Sequence, residues 1–568
     1  MNSYIDLFVI VIFSAFVLGI GMLFSRTGTD IKSFFAGGES VPWFIGGLSL
    51  FMSFFSAGTF VVWGSIAYKS GWVAITIQWT MCIGALVTGL WLAPRWKRTG
   101  ALTAAEFVGV RLGLSVQKVY IFIFTFVNLF IKGSVLYPVS RLVSSSLGLP
   151  LVPSTIVLGF FMISYTAVGG LWAVMVTDIL QFVVLSAAVL ILLPLSFDKA
   201  GGFEGFVQKV PADFFDLLNG EYTIGFIIAF TIFHISYIGG NWTFVQRYTS
   251  VDTPRSARKV AFLFAGLYLV SPVIWMMPPM IYKAINPSLA GLETENAYLQ
   301  MCKLVLPPGL LGLMLTGMYF STSASANTAL NVVSAVFTND IYKGMVNPGA
   351  SDAQLMRIAR WSSWVFGLGM ILIALIIPYV GGIVEVILSI GAVTGGPLLA
   401  PPLWALFSRK LSGKAALRIS ILTLTVNLIF KIAVPLIFSY KLSRELEMIL
   451  GVGLPLLLLA INEWFFGKDR TSHPDHERYI DIRRQMSFMK VVPDKDVEAG
   501  MPDQNSFGLR VIGWSLVFTS VMLFGLSSFT EKGAGITATM AVLILLGSAI
   551  PFRAQYLSRQ KREQGTHN

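Results

Sequence analysis

The chain has 568 residues, 55% of them hydrophobic and 12% charged, with a mean hydropathy of +0.73 and a formal net charge of +12. A soluble domain carries roughly 25% charged residues, so a chain this long and this uncharged keeps most of its residues in lipid. That excludes a soluble globular enzyme, and the lack of recurring ten-residue alternation excludes a transmembrane barrel.

Apolar runs of about 20 residues read as membrane-spanning helices. Fifteen lie near 4–25, 42–67, 72–94, 118–147, 151–168, 172–195, 223–247, 258–285, 307–338, 357–381, 384–407, 415–440, 446–466, 508–529 and 534–552. The expectation is an all-α polytopic protein of a cell membrane, with the lipid bilayer as its principal partner. The opening "MNSYIDLFVI" carries Asp6, lacks a basic n-region and precedes a long apolar run, so it reads as a retained first helix rather than a signal peptide. Basic residues cluster at Arg95, Lys97 and Arg98, at Arg247 to Lys259, at Lys343 and Arg357, at Arg409 to Arg418, at Lys468 to Arg484 and at Arg553 to Arg562. Those are alternate connections, so the positive charge is a topology signal that places the N-terminus outside and the C-terminus inside. It is not the footprint of nucleic-acid binding.

The second run contains "SFFSAGTF", Ser53 to Phe60, with four small or polar residues at mid-membrane depth. The seventh contains "SYIGGNWTF", with Gly239 and Gly240 at its middle. The two stand five segments apart, an odd offset, so they cross in opposite directions. Transporters with inverted repeats place their sites at such paired interruptions. An unwound elbow is one reading of "FSAGTF"; close helix packing through small residues is the other.

Lys132, in "FTFVNLFIKGSVLYPVS", lies near the centre of the fourth run with no acid within a helical turn. It pairs either with an anionic solute or with a structural partner elsewhere in the bundle. Asp178, in "AVMVTDILQFVV", sits about six residues into the sixth run from the inside. Intramembrane carboxylates are functional by default, although capping near the interface also accounts for one this shallow. Gln78 and His234 are polar at useful depth, with Gln78 the stronger candidate. Lys431 lies nearer the outer face, where snorkelling explains it.

The ninth run holds "GMYFSTSASANTALNVVSAVFTNDIYKG", in which Ser321, Thr322, Ser323, Ser325, Asn327 and Thr328 crowd two turns. Hydroxyls and unpaired helix carbonyls together ligate a desolvated monovalent cation without fixed charge; back-bonding to carbonyls one turn earlier is the plainer alternative. Cys82 at mid-membrane and Cys302 in an outer loop imply neither a disulfide nor a metal site. There is no G-x-x-x-x-G-K-[ST], HExxH or CxxC, so direct ATP drive and membrane metalloenzyme chemistry lack their residues.

The stretches "FFAGGESVPWFIGGLSLFMSFFSAGTF", "GSIAYKSGW", "GALTAAEFVGVRLG", "AVGGLWAVMVTDILQF", "VQRYTSVDTPRSARKV" and "NTALNVVSAVFTNDIYKG" cover 34–343 in order. On them the chain resembles the sodium:solute symporter family, which includes bacterial proline, galactose and sialic acid symporters. The resemblance implies a leucine-transporter-type 5+5 inverted-repeat core preceded by one extra helix, coupled to one or two sodium ions. By family pattern the shared sodium site comprises Met52, Phe55, Ser321, position 324 and Ser325. Here position 324 is Ala324, where the family usually has a serine, which removes a ligand. A second sodium site falls on Asp178, Asn327 and Thr328, of which only Thr328 keeps the family's hydroxyl. The solute positions are Phe54, Ser56, Thr59 and Gln78, with Lys132 at or next to the cationic residue of sialic acid members. That favours an anionic small-molecule solute such as an acidic sugar or carboxylate. A neutral solute, proton coupling through Asp178 and a transporter-like sensor stand as alternatives.

The expected organisation is an extra helix and cytoplasmic loop over 1–41, a first repeat over 42–195, an outer amphipathic segment over 196–222 and a second repeat over 223–410. Two peripheral helices over 411–467, a cytoplasmic linker over 468–507 and a terminal helix pair with a basic tail over 508–568 complete it.

Overall fold

Helices form along the apolar runs because lipid offers no partner to a backbone N–H or C=O, so each segment pairs its own. The computed structural model describes residues 3–24, 41–101, 103–165, 171–347, 349–380, 382–465, 472–489, 504–529 and 533–565. Every regular element among the described residues is helical.

The principal helices are α1 (Ser3–Phe24), α2 (Trp43–Phe54), α3 (Thr59–Ser70), α4 (Val73–Thr99), α5 (Leu114–Leu147), α6 (Leu151–Tyr165), α7 (Leu171–Ala200), α8 (Ile224–Gly240) and α9 (Trp242–Thr249). They continue with α10 (Pro254–Ile285), α11 (Leu310–Val336), α12 (Asp352–Ile376), α13 (Gly382–Ala405), α14 (Gly413–Phe438) and α15 (Arg444–Phe465). The last are α16 (Pro474–Met489), α17 (Gln504–Ser527) and α18 (Ala534–Gly547). Ten helices among the described residues are long and apolar enough to cross a membrane, or twelve with each bent pair counted as one span.

The bent pairs are α2 with α3, at 61°, and α8 with α9, at 54°. Both fall in the runs whose sequence is interrupted. The second break comes at Asn241, just after Gly239 and Gly240, which end α8 in helical geometry. Asn241 itself caps α9, its side chain accepting from the Thr243 N–H at 3.0 Å, the usual work of an asparagine at a helix start.

Packing seats the first break at the centre. Helix α10 lies against α2, α4 and α7, while α11 runs between α5, α7 and α1. Phe51 on α2 meets the rings of Phe55, Phe182, Phe264, Tyr268 and Trp275, and Phe54 stacks on Phe244 of α9 at 4.3 Å. Aromatic pairs at such distances add to simple burial, and here they fix the angle of the bend. On the far side, Gly396 of α13 and Gly451 of α15 pack backbone to backbone; a Cβ at Gly451 would lie 1.9 Å from the Ala392 carbonyl oxygen. Only small residues permit that approach.

Asp6 has a structural use beyond marking the first helix. It is buried, and its carboxylate accepts from the N–H groups of Gly309 (2.8 Å) and Gly312 (2.9 Å) at the start of α11. The first helix thereby caps the helix that carries the hydroxyl cluster. Helix α17 packs on α7 and stacks Phe518 on Phe16 of α1 at 3.9 Å.

Three expectations change. Lys431 does not merely snorkel: its ammonium contacts Glu447 at 2.9 Å and Glu385 at 3.0 Å, on two neighbouring helices. Cys302 is not loop-exposed but buried in a short helix, Ala297–Val305, and both cysteines are unbridged. Within the expected linker, α16 is a docked helix: Tyr479 meets Phe107 edge-on, and Asp475 accepts from the Gly413 N–H at 3.0 Å.

Candidate ion and solute site

The break between α2 and α3 leaves backbone groups without helical partners, and hydroxyls take them up. The Phe55 carbonyl accepts from the Ser321 hydroxyl at 2.9 Å, and the Ala57 N–H donates to Thr322 Oγ1 at 2.8 Å. Thr59 Oγ1 donates to the Phe54 carbonyl and accepts from the Ser56 N–H, both at 3.2 Å. The Phe55 N–H donates to the Met52 carbonyl at 3.0 Å. So "FSAGTF" is an unwound elbow rather than a packing seam, stitched to α11 by that helix's own hydroxyls. Thr322 does both jobs, since it also bonds back to the Met318 carbonyl at 2.8 Å.

These contacts bring Met52, Phe55 and Ser321 to one junction, and Ser325 follows one turn further along α11. The Met52 and Phe55 carbonyls each keep a lone pair, and Ser321, having spent its proton on Phe55, keeps its lone pairs. That donor set suits a small hard cation. The side chains of Ala324, Asn327 and Thr328 lie outside the described residues, although their backbone is part of α11.

Lys132 enters from α5. Its ammonium donates to Ser325 Oγ at 2.5 Å, and no carboxylate among the described residues pairs with it. Lys132 and Ser325 also line a cavity shared with Ser53, Phe54, Ser56 and Thr59. The cavity lining is also aromatic, with Trp63, Phe233 and Tyr237 among its members. Lys132 thus bonds to one proposed ion ligand, Ser325, and lines the same cavity as the proposed solute ligands Phe54, Ser56 and Thr59.

Of the remaining candidates, Gln78 is buried on α4, its Nε2 has no hydrogen-bond partner among the described residues, and it is not among the residues lining this cavity. His234 does line it, and its Nδ1 is engaged by Thr80 Oγ1 at 2.7 Å. Asp178 is buried on α7 and accepts from the Ser49 hydroxyl at 2.7 Å, with an Arg247 nitrogen 3.9 Å away. Arg247 Nε in turn lies 3.4 Å from Ser49 Oγ. This trio ties α2, α7 and α9 together on the Asp178 side of the elbow.

Sequence reasoning treated Arg247 only as a topology charge, although it is 2% exposed. Its partners stand 198 and 69 positions away in the chain, so no local pattern announces the trio. Ser49, Asn128 and Asn241 were missed for the same reason; the last two line the cavity.

A long-helix bundle with a hydroxyl-stitched break beside an aromatic cavity defines a membrane transporter of the broken-helix class. The model of the sodium:solute symporter family matches residues 34–423. The chain belongs to that family: it is a multi-pass membrane protein, a sodium-coupled symporter of a small solute and not an enzyme. It is 28% identical over 460 residues to the sodium/glucose cotransporter of Vibrio parahaemolyticus, covering 73% of this chain and 83% of the relative. It is 24% identical over 434 residues to the sodium/sialic acid symporter SiaT of Proteus mirabilis, covering 73% and 87%. In fold it matches a solved Na+-coupled sialic acid symporter in a substrate-bound outward-open state, with TM-score 0.68 at 22% identity, over 80% of this chain and 97% of that one.

Proposed function

We propose that this symporter carries a small anionic organic solute, an acidic sugar or carboxylate, which lodges against Phe54, Ser56 and Thr59 with its negative group toward Lys132. The observation that carries this reading is the Lys132 ammonium, which lines the cavity with no carboxylate partner among the described residues. A buried cation of that kind needs a counter-charge, and an anionic solute supplies one. The likeness to a sialic acid symporter points the same way. Gln78 completes the set only through a rotation of its side chain or of α4.

The coupling ion, in this reading, binds at Met52, Phe55, Ser321 and Ser325, with Ala324 contributing no side-chain ligand. A second sodium at Asp178, Asn327 and Thr328 requires Asp178 to exchange Ser49 or Arg247 for the ion. The fold is read as fifteen spans with the N-terminus outside, carrying inverted repeats over 42–195 and 223–410. The two bends, five spans apart, support it.

A neutral sugar is the second reading, favoured by the likeness to sodium/glucose cotransporters from bacteria and sheep. Uptake into proteoliposomes separates the two. An acidic sugar should accumulate only under an inward sodium gradient, and Lys132→Ala should abolish that accumulation. Sodium-driven uptake of glucose instead, unaffected by the charge at position 132, would overturn the anionic reading.

A further inference from the structure

The Lys132 ammonium is bonded to a hydroxyl that belongs, by the reading above, to the sodium site. We propose that Lys132 is a tethered cation that competes with sodium for Ser325, and that sodium entry turns it out of the ion site and into the solute cavity. The proposal rests on the placement of sodium at Met52, Phe55, Ser321 and Ser325, and its second half rests on the anionic solute.

Three observations converge on it. First, Ser325 Oγ accepts from Lys132, so a sodium ion ligated there would lie within a few ångströms of an ammonium, and like charges so close repel strongly at protein dielectric. Second, the neighbouring Ser321 hydroxyl is bonded to the Phe55 carbonyl, one of the backbone ligands of that site. The ammonium therefore sits within a helical turn of the elbow's ion-binding face. Third, the same lysine lines the cavity with Ser56 and Thr59. A four-carbon stem with rotatable bonds lets one ammonium serve both positions.

The consequence is a coupling device in one side chain. When sodium leaves, Lys132 supplies the positive charge that α11 and the elbow would otherwise lose. When sodium arrives, Lys132 is expelled toward the solute and presents its charge there. Sodium thereby raises the affinity for an anionic solute, and by reciprocity the solute raises the affinity for sodium by the same factor. A solute without negative charge gains nothing from the displaced lysine.

The experiment is sodium binding to the purified full-length protein in nanodiscs, without solute, by equilibrium binding of radioactive sodium. An internal competitor lowers apparent affinity in proportion to the fraction of sites it leaves free, so one holding about nine-tenths of them weakens binding about tenfold. Lys132→Met, neutral and of similar length, should bind sodium about tenfold tighter than wild type, while Lys132→Arg should stay near or above the wild-type Kd. In Lys132→Ala, added ethylammonium should weaken sodium binding by refilling the site, with no such effect on wild type. Unchanged or weaker sodium binding in Lys132→Met overturns the proposal. If that variant does not fold, Lys132→Gln is read by the same two outcomes. Because no solute is present, failure of the acidic-sugar uptake assay alone leaves this result standing and rejects only the choice of solute.

Discussion

The two broken helices share a bend of similar size but are closed by different chemistry. At the first break the loosened backbone is met by hydroxyls of α11. At the second, the Gly239 carbonyl accepts from the Trp96 indole at 2.6 Å and the Ile238 carbonyl from the Tyr248 hydroxyl at 3.1 Å. Small hydroxyls both donate and accept, and they tolerate exchange for an ion. A buried indole donates only, and its bulk fixes one geometry. On the proposed placement of the ion, the break closed by hydroxyls is the site and the break closed by aromatic donors is a joint. Matching sequence interruptions do not by themselves say which is which; the partners across the gap do.

The largest effect should come from the trio beside the elbow. Arg247→Ala leaves buried Asp178 with Ser49 as its one side-chain partner among the described residues. Breaking a buried ion pair in this way costs about 3–5 kcal/mol. We expect a melting temperature well below wild type and uptake near background, with Arg247→Lys recovering part of each. A variant as stable and active as wild type would show that the trio does not hold the two breaks together.

Next in size are the two closures themselves. Trp96→Phe strands the Gly239 carbonyl and should cost about 1–3 kcal/mol, read as thermal stability, with sodium affinity unchanged. Ser321→Ala should do the reverse, losing sodium affinity at least tenfold with a smaller stability change. If both variants move the same quantity, the distinction between site and joint collapses.

The general fold was legible because periodic grease and alternating loop charge are dictated by the bilayer, residue by residue. The described helices follow the apolar runs, and ten of them are long and apolar enough to span, or twelve with each bent pair counted as one. The elbow was legible too, since Gly58 beside Ser56 and Thr59 is a poor helix interior wherever it stands. What could not be read was partnership across the bundle. Asp178 reads as an ion ligand or a cap until Ser49, 129 positions away, is seen to hold it. Lys431 reads as a snorkelling side chain until Glu385 and Glu447 appear beside it. Lys132 was recognised as anomalous, but its contact with Ser325 belongs to tertiary geometry alone.

The smallest expected effect concerns the cap on α11. Asp6→Ala removes the acceptor for two N–H groups and should destabilise the protein by about 0.5–2 kcal/mol, with the solute preference retained. A lowered transition temperature with an unchanged acidic-to-neutral uptake ratio would place the first helix as a support for the site. A changed ratio would make it part of the selectivity machinery.

The most direct test of the account is hydrogen–deuterium exchange of the wild-type protein with and without sodium, followed peptide by peptide across both breaks. Sodium should slow exchange over 52–59 and over the hydroxyl cluster of α11, while 238–243 stays unchanged. Sodium protection confined to 238–243, or absent from the elbow and α11, would contradict the placement of the ion at the first break.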